Sequence, residues 1–335
     1  MLVKKQRKEL RMKYPPITDA YGRMFKTLRV SLTNTCNLGC VYCVSGTEEV
    51  SETAVEKELT KVLGHHEILL MVNSLHSLLN LEVIRLTGGE PTLYRELIPL
   101  IKGLKAIGIP FIKMTSNAFL LKNKAKELAE AGLSHINISL DAIHQDEFFR
   151  ISRRKNVTKV IEGIDEAINS GIEVKLNCVV MKGLNDNQIL PLLDFCFERG
   201  ITIRFLELMK MGHLQKGSFE EHFYSQEEVL NQIKRKYNFE RLEREKSSTA
   251  NYWTTEGGNI FGIVANESTP FCADCNRLRL DSFGNIYGCL SEDKAISIKN
   301  LNSEEGLVEK LTEALGHKQK VRFKGSGISM LDIGG

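Results

Sequence analysis

No apolar stretch in this 335-residue chain approaches the roughly 20 residues needed to cross a bilayer. The opening segment, Met1 to Lys13, has no apolar run either, and carries Lys4, Lys5, Arg7, Lys8, Arg11 and Lys13 against Glu9. It does not read as a secretory leader, and residues 1–20 are expected to form a solvated basic tail. Excess charge is also lacking, since the formal net charge is +3. That argues against a dedicated nucleic-acid binder, which would show a concentrated basic face. A small anionic substrate held by a few inward arginines stays possible. These absences point to a cytoplasmic protein with neither a membrane nor a nucleic acid as partner, and nothing in them opposes a homodimer.

A fourth metal ligand is missing too, twice. Cys36, Cys40 and Cys43 form a C-x3-C-x2-C run, and no further Cys or His follows until His65-His66. Structural zinc wants four ligands. Three thiolates can instead hold three corners of a [4Fe–4S] cube and leave one iron open, whereas most iron–sulfur electron carriers supply four cysteines. Cys272, Cys275 and Cys289 repeat the pattern as C-x2-C-x13-C. A zinc ribbon would show paired knuckles, so this set also suits a cluster with an open iron, though either metal fits better than none. A disulfide framework suits neither set in a long chain without a leader. Cys178 and Cys196 lie inside apolar runs and read as small core residues.

Hydrophobic residues make up 42% of the chain, enough for a full core. Short β-branched runs at 27–33, 82–87, 111–115, 135–140, 173–180 and 201–208 alternate with amphipathic stretches at 57–79, 93–106, 122–131, 157–169 and 187–198. Gly108, Gly132, Gly171 and Gly200 stand where helices stop before strands. Such βα units require a parallel sheet with right-handed crossovers. Six are too few for a closed eight-fold barrel. The expected fold is therefore α/β, a partial (βα)6 TIM-like barrel over 21–210 with a small C-terminal iron–sulfur domain over 211–335. The latter should hold a helix at 226–237, short strands between 252 and 297, and a hairpin turn at Asp281–Asn285.

That fold demands functional residues at the carboxyl ends of the strands. The first cysteine set follows the first run, Gly88-Gly89-Glu90-Pro91 the second, and Thr115-Ser116-Asn117 the third, while Ser139-Leu140-Asp141 closes the fourth. Two glycines let backbone approach a ligand, and a carboxylate beside them can pair with an ammonium group. Arg277 and Arg279 alternate, so a strand would put both on one face, as an anion clamp beside a metal. Arg29, Arg85, Lys175 and Arg204 also lie in strands, where a buried cation needs an acid or an anionic ligand. His65, His66 and His76 read as surface or interface residues.

These residues resemble the radical S-adenosylmethionine (SAM) enzymes, whose signature is C-x3-C-x2-C with an aromatic before the last cysteine, here Tyr42. Among them the chain is most similar to the GTP 3′,8-cyclases of molybdenum cofactor biosynthesis, from about Tyr21 to Gly335. The similarity is carried by Leu28–Thr33, Arg85–Pro91, Ser139–Asp141, Lys175–Asn177, Arg204–Glu207, Phe271–Leu280 and Gly334-Gly335.

The resemblance implies that Cys36, Cys40 and Cys43 hold a [4Fe–4S] cluster whose open iron chelates SAM and which, once reduced by an external electron donor, passes the electron that cleaves SAM to a 5′-deoxyadenosyl radical. It implies that Gly88, Gly89 and Glu90 hold the methionyl amine, with Thr115, Asn117 and Ser139 on the rest of the cofactor. Cys272, Cys275 and Cys289 would hold a second [4Fe–4S] cluster that binds the guanine of GTP. Arg29, Arg85, Lys175, Arg204, Arg277 and Arg279 would surround the triphosphate, and the Gly334-Gly335 tail would reach into the site. The implied reaction abstracts the 3′ hydrogen of GTP and joins the sugar carbon to C8, giving (8S)-3′,8-cyclo-7,8-dihydroguanosine 5′-triphosphate. The chain departs from the family at Val83, where a lysine is usual, at Val44-Ser45 after the third cysteine, and at Ala118, where glycine is usual. These departures leave open a divergent enzyme of the same kind acting on another nucleotide or a peptide.

Overall fold

The computed structural model describes residues 14–45, 62–301 and 303–334. Most of the basic tail and part of the 57–79 stretch therefore lie outside the described residues. Six strands, β1 (Thr27–Ser31), β2 (Val83–Thr87), β3 (Phe111–Ser116), β4 (His135–Ser139), β5 (Glu173–Val180) and β6 (Thr202–Glu207), lie side by side in chain order. Every adjacent pair among them is parallel. Helices at His65–Leu79, Leu97–Ile107, Ala125–Ala131, Val157–Asn169 and Ile189–Glu198 make the crossovers.

The period-2 pattern of each strand decides what it faces. In β5 the alternate residues Val174, Leu176, Cys178 and Val180 are buried. They pack with helix residues such as Val160, Ile164 and Leu192 in one apolar core. The intervening Lys175, Asn177 and Val179 line a cavity on the concave side. The core thus sits between sheet and helices, while the inside of the barrel is left for a ligand.

The segment after 210 adds strands to both edges of this sheet. These are β7 (Phe239–Arg241), β8 (Asn251–Thr255), β9 (Ile260–Val264), β10 (Arg277–Leu280), β11 (Asn285–Tyr287) and β12 (Ile296–Ser297). The order is β12-β11-β10-β1-β2-β3-β4-β5-β6-β9-β8-β7, with β10 parallel to β1 and β9 parallel to β6. The two ends do not pair, so the barrel is partial, as the strand count predicts. The Asp281–Asn285 turn joins β10 to β11, with Asp281 Oδ1 accepting from the Phe283 N–H at 2.9 Å and the Asn285 N–H at 2.8 Å.

Among the described residues, four helices lie where no periodic run marks them: Gln145–Ser152, Glu304–Gly316 and the single turns Phe219–His222 and Met330–Ile333. His76 corrects the surface reading, because it shares the inward face of its helix with Val72 and Leu79 and is 4% exposed. Gly108 and Gly132 end their helices at φ of 91° and 113°, the left-handed conformation that glycine tolerates.

Candidate functional site

The first cysteine loop is held from two sides. On one, the Gly39 and Val41 N–H groups donate to the carbonyls of Ser152 and Ile151 at 2.9 and 3.0 Å. Those carbonyls end the helix Gln145–Ser152, where the last turn has no partners of its own. On the other side, Gly89 N–H donates to the Thr33 carbonyl at 2.7 Å and Glu90 N–H to the Thr35 carbonyl at 2.9 Å. A Cβ on Gly88 would collide with the Thr33 carbonyl, and one on Gly89 with the Thr35 carbonyl. The glycines therefore seat one loop on the other, in addition to any approach to a ligand.

Glu90 does not reach the cavity. Its carboxylate is fully buried and accepts from Thr92 N–H at 3.0 Å, Thr92 Oγ1 at 2.7 Å, Ser116 Oγ at 2.7 Å and Asn117 N–H at 2.7 Å. Burial raises its pKa, against the pull of these bonds. The side chain ties the β2 loop to the β3 loop, and the groups left to meet an ammonium here belong to the backbone. Asn117 donates to Asn37 Oδ1 at 2.7 Å, which links the β3 loop to the cysteine loop in turn. Ala118 follows at φ 59°, which explains why glycine suits this position.

Tyr42 donates to Asp141 Oδ2 at 2.7 Å, and Asp141 Oδ1 accepts from Val179 N–H at 2.8 Å. Burial lifts the Asp141 carboxyl to about 6. Burial also raises Cys36 to about 12, with the Glu90 charge adding to it, and pushes up Cys40 and Cys43. All three thiols are free and line the cavity with Tyr42, Gly88, Gly89, Thr115, Asn117 and Ser139.

The second set sits in the opposite electrostatic setting. Lys318 Nζ lies 3.3 Å from Cys275 Sγ and donates to the Arg277 carbonyl at 3.0 Å. Burial opposes ionisation of Cys275, but Arg277 and Lys318 outweigh it and bring the thiol down to about 6. Cys272 goes the other way, to about 11, through burial and the neighbouring thiols Cys289 and Cys275. One set is thus flanked by carboxylates, the other by cations. Both open on one cavity of about 930 Å³. Among the described residues, no three His, Cys, Asp or Glu side chains converge as ligands of one metal ion would. Thiolates on separate irons of a cube need no such convergence, so each free set fits a cluster.

Between the sets runs a wall of cations. Strand register aligns Arg279 with Arg29, Arg29 with Arg85, and Arg85 with Lys113. Adjacent strands are about 5 Å apart, and at an effective dielectric of ~20 two unit charges at that spacing repel by roughly 3 kcal/mol. Burial and the surrounding guanidiniums push Arg85 down to about 9 and Arg279 to about 10, and Arg29 falls as well. An anion in the cavity would relieve all of these. Lys175 pairs with Glu173 at 3.0 Å, and Arg204 donates Nε and Nη2 to Asn177 Oδ1 at 3.0 and 2.7 Å. Arg277 donates to the Ser247 carbonyl at 3.0 Å. Val83 lines the same wall as an apolar residue.

The chain's end enters here too. Arg279 donates to the carbonyl of Gly334, and a Cβ on Gly334 would collide with Ser31 Oγ between β1 and β2. Gly335 lies outside the described residues. Lys113 and Asn177 carry no site role in the sequence reading, yet share the inward parity of Thr115 and Lys175 on their strands. That parity was the available signal.

An open parallel barrel with a three-cysteine loop at its carboxyl end defines a class, and residues 30–196 match the Radical SAM superfamily model. Residues 201–325 match Molybdenum Cofactor Synthesis C. Among solved structures, Streptococcus suis SuiB bound to the precursor peptide SuiA shares the fold with a TM-score of 0.65 at 15% identity, over 93% of this chain and 70% of that one. Native anSMEcpe with bound AdoMet does so at 0.63 and 15%, over 89% and 84%. Curated relatives are more similar in sequence. The GTP 3′,8-cyclase of Clostridium botulinum strain Hall is 37% identical over 90% of this chain and 92% of its own, and that of Synechocystis is 33% identical over 95% of each. The chain belongs to the GTP 3′,8-cyclase family.

Proposed function

We propose that this chain is a GTP 3′,8-cyclase of molybdenum cofactor biosynthesis, converting GTP to (8S)-3′,8-cyclo-7,8-dihydroguanosine 5′-triphosphate. Its cofactors are [4Fe–4S] clusters and SAM. The observation that carries the reading is the placement of two free three-cysteine sets on one cavity with an in-register row of cations between them. When bound, a reduced cluster with an open iron supplies the electron that cleaves SAM to a 5′-deoxyadenosyl radical.

The rest belongs to the chain. Cys36, Cys40 and Cys43 hold that cluster, and the backbone of Gly88, Gly89 and Glu90 meets the methionyl amine, with Thr115, Asn117 and Ser139 along the cofactor. Cys272, Cys275 and Cys289 hold the second cluster against the guanine. Arg29, Arg85, Lys175, Arg204, Arg277 and Arg279 bind the triphosphate, so the 3′ hydrogen faces the first cysteine set. Gly334 narrows the site and orients Arg279. Residues 21–210 make the radical and supply most of the phosphate-binding cations, and residues 211–335 add the guanine-facing cluster with Arg277 and Arg279. A one-electron donor comes from outside the chain. Among the described residues, no helix is long and apolar enough to cross a membrane.

Anaerobically reconstituted protein should carry about eight irons, as two four-iron clusters require. Given reductant, SAM and GTP, it should release 5′-deoxyadenosine and a cyclised 3′,8-product in equal amounts. 5′-Deoxyadenosine without a GTP-derived product would reject the substrate and keep the radical chemistry.

A further inference from the structure

Lys113 is the one member of the in-register cation row for which the sequence suggested no role. It stands on β3 beside Arg85, at the far end of the row from Arg279. Arg279 feels the thiols of Cys289 and Cys275, so the row starts at the second cysteine set and leads away from it. Lys113 lines the same cavity. Among the described residues no carboxylate forms an ion pair with it. Glu173, whose charge acts on Lys113 from a distance, is itself engaged by Lys175 at 3.0 Å and by His135 at 3.0 Å. Among the described residues, its ammonium lies over the Phe111 ring, 5.5 Å to the centroid.

A half-buried ammonium without an acid is costly unless an anionic ligand completes it. Burial, Arg85 and Lys175 lower its pKa and outweigh the opposing charge of Glu173, the direction expected of a cation that awaits a closer counter-charge. Three strand steps separate Arg279 from Lys113, roughly 14 Å at the usual spacing. A nucleotide with its base at the second cysteine set would lay its phosphates along this row. The phosphate that arrives last at the Lys113 end is the terminal one.

We propose that Lys113 reads the terminal phosphate of the nucleoside triphosphate and so sets the preference for triphosphate over diphosphate. This rests on the cyclase reading for the orientation of the base, whereas the row of cations stands without it. A lysine serves as a point charge with rotatable donors, which suits an oxygen-rich terminal group.

The test measures binding by anaerobic equilibrium dialysis on the reconstituted full chain, with GTP, GDP and inorganic tripolyphosphate as probes. For Lys113→Met, an unbranched replacement that leaves the strand packed, GTP affinity should fall by about tenfold or more, the loss expected for one charge-assisted bond. GDP affinity should stay within about twofold, and Lys113→Arg should restore most of the GTP affinity. Thermal melting checks that each variant folds. An equal fall for GTP and GDP would overturn the assignment and reduce Lys113 to a contributor to the general field. Unchanged GTP affinity would also overturn it while leaving the cyclase reading intact. Lys113-dependent tripolyphosphate binding by a protein that ignores GTP would support the phosphate seat and reject the GTP reading.

Discussion

Gly89 lies against the carbonyl of Thr35 so closely that no Cβ fits between them, while Glu90 N–H donates to that carbonyl at 2.9 Å. The glycine pair therefore sets the position of the segment that carries Cys36. Overpacking usually costs about 1–3 kcal/mol, and here the obstacle is backbone, which cannot swing aside like a side chain.

Gly89→Ala should displace the cysteine loop while leaving the second set alone. Iron per chain should drop from about eight to about four, with 5′-deoxyadenosine formation lost and GTP still bound. The checks are iron and sulfide analysis beside GTP dialysis. Full iron content with normal 5′-deoxyadenosine yield would show that the loops are not coupled in this way.

The contrast between the two cysteine sets can be measured in the metal-free protein. Cys275 is brought down to about 6, whereas Cys36 and Cys272 are raised to about 12 and 11. At pH 7 Cys275 is then mostly thiolate and the other two mostly thiol, and only thiolate attacks an alkylating agent. Iodoacetamide followed by peptide mapping should label Cys275 first, with a midpoint near 6 in the rate against pH. Lys318→Met removes the ammonium 3.3 Å from its sulfur and should move that midpoint upward. Equal labelling of all six cysteines would contradict the assigned electrostatics.

The six-strand barrel was legible because the outward face of each strand pairs with a helix of matching period, and observed strand bounds differ from the expected ones by no more than two residues. The cysteine sets and strand-borne arginines converge on one cavity for the same reason, since parity and strand ends dictate where they point. What sequence could not supply was contact across the chain. Glu90 as a tie between loops depends on Ser116 and Asn117, some 26 and 27 residues away. The helix Gln145–Ser152 is short, and its carbonyls find their use only on the cysteine loop. Strands β9 and β10 flank the barrel because β6 and β1 would otherwise be open edges. No local pattern announces that pairing.

Asp274, between Cys272 and Cys275, binds Arg244 through both oxygens, at 2.7 and 3.0 Å. It also accepts from Ser247 N–H at 2.7 Å, while its own carbonyl accepts from Ser247 Oγ at 2.8 Å. Ser247 is held at φ 64°, and its carbonyl receives Arg277 at 3.0 Å. The Asp274 pair thus fixes the strap 243–249 over the cavity and, through one carbonyl, the aim of the cavity-lining Arg277 guanidinium. Both partners are part-exposed, so the pair itself adds only about 1 kcal/mol or less to stability. Asp274→Asn should leave melting and iron content near wild type yet raise KM for GTP several-fold, with kcat within about twofold, since uniform binding is what a misdirected Arg277 loses. Arg244→Met should do the same, and the double variant should be no worse than either single one if both act through the strap. A fall in kcat at unchanged KM would place the pair in the chemistry rather than in positioning.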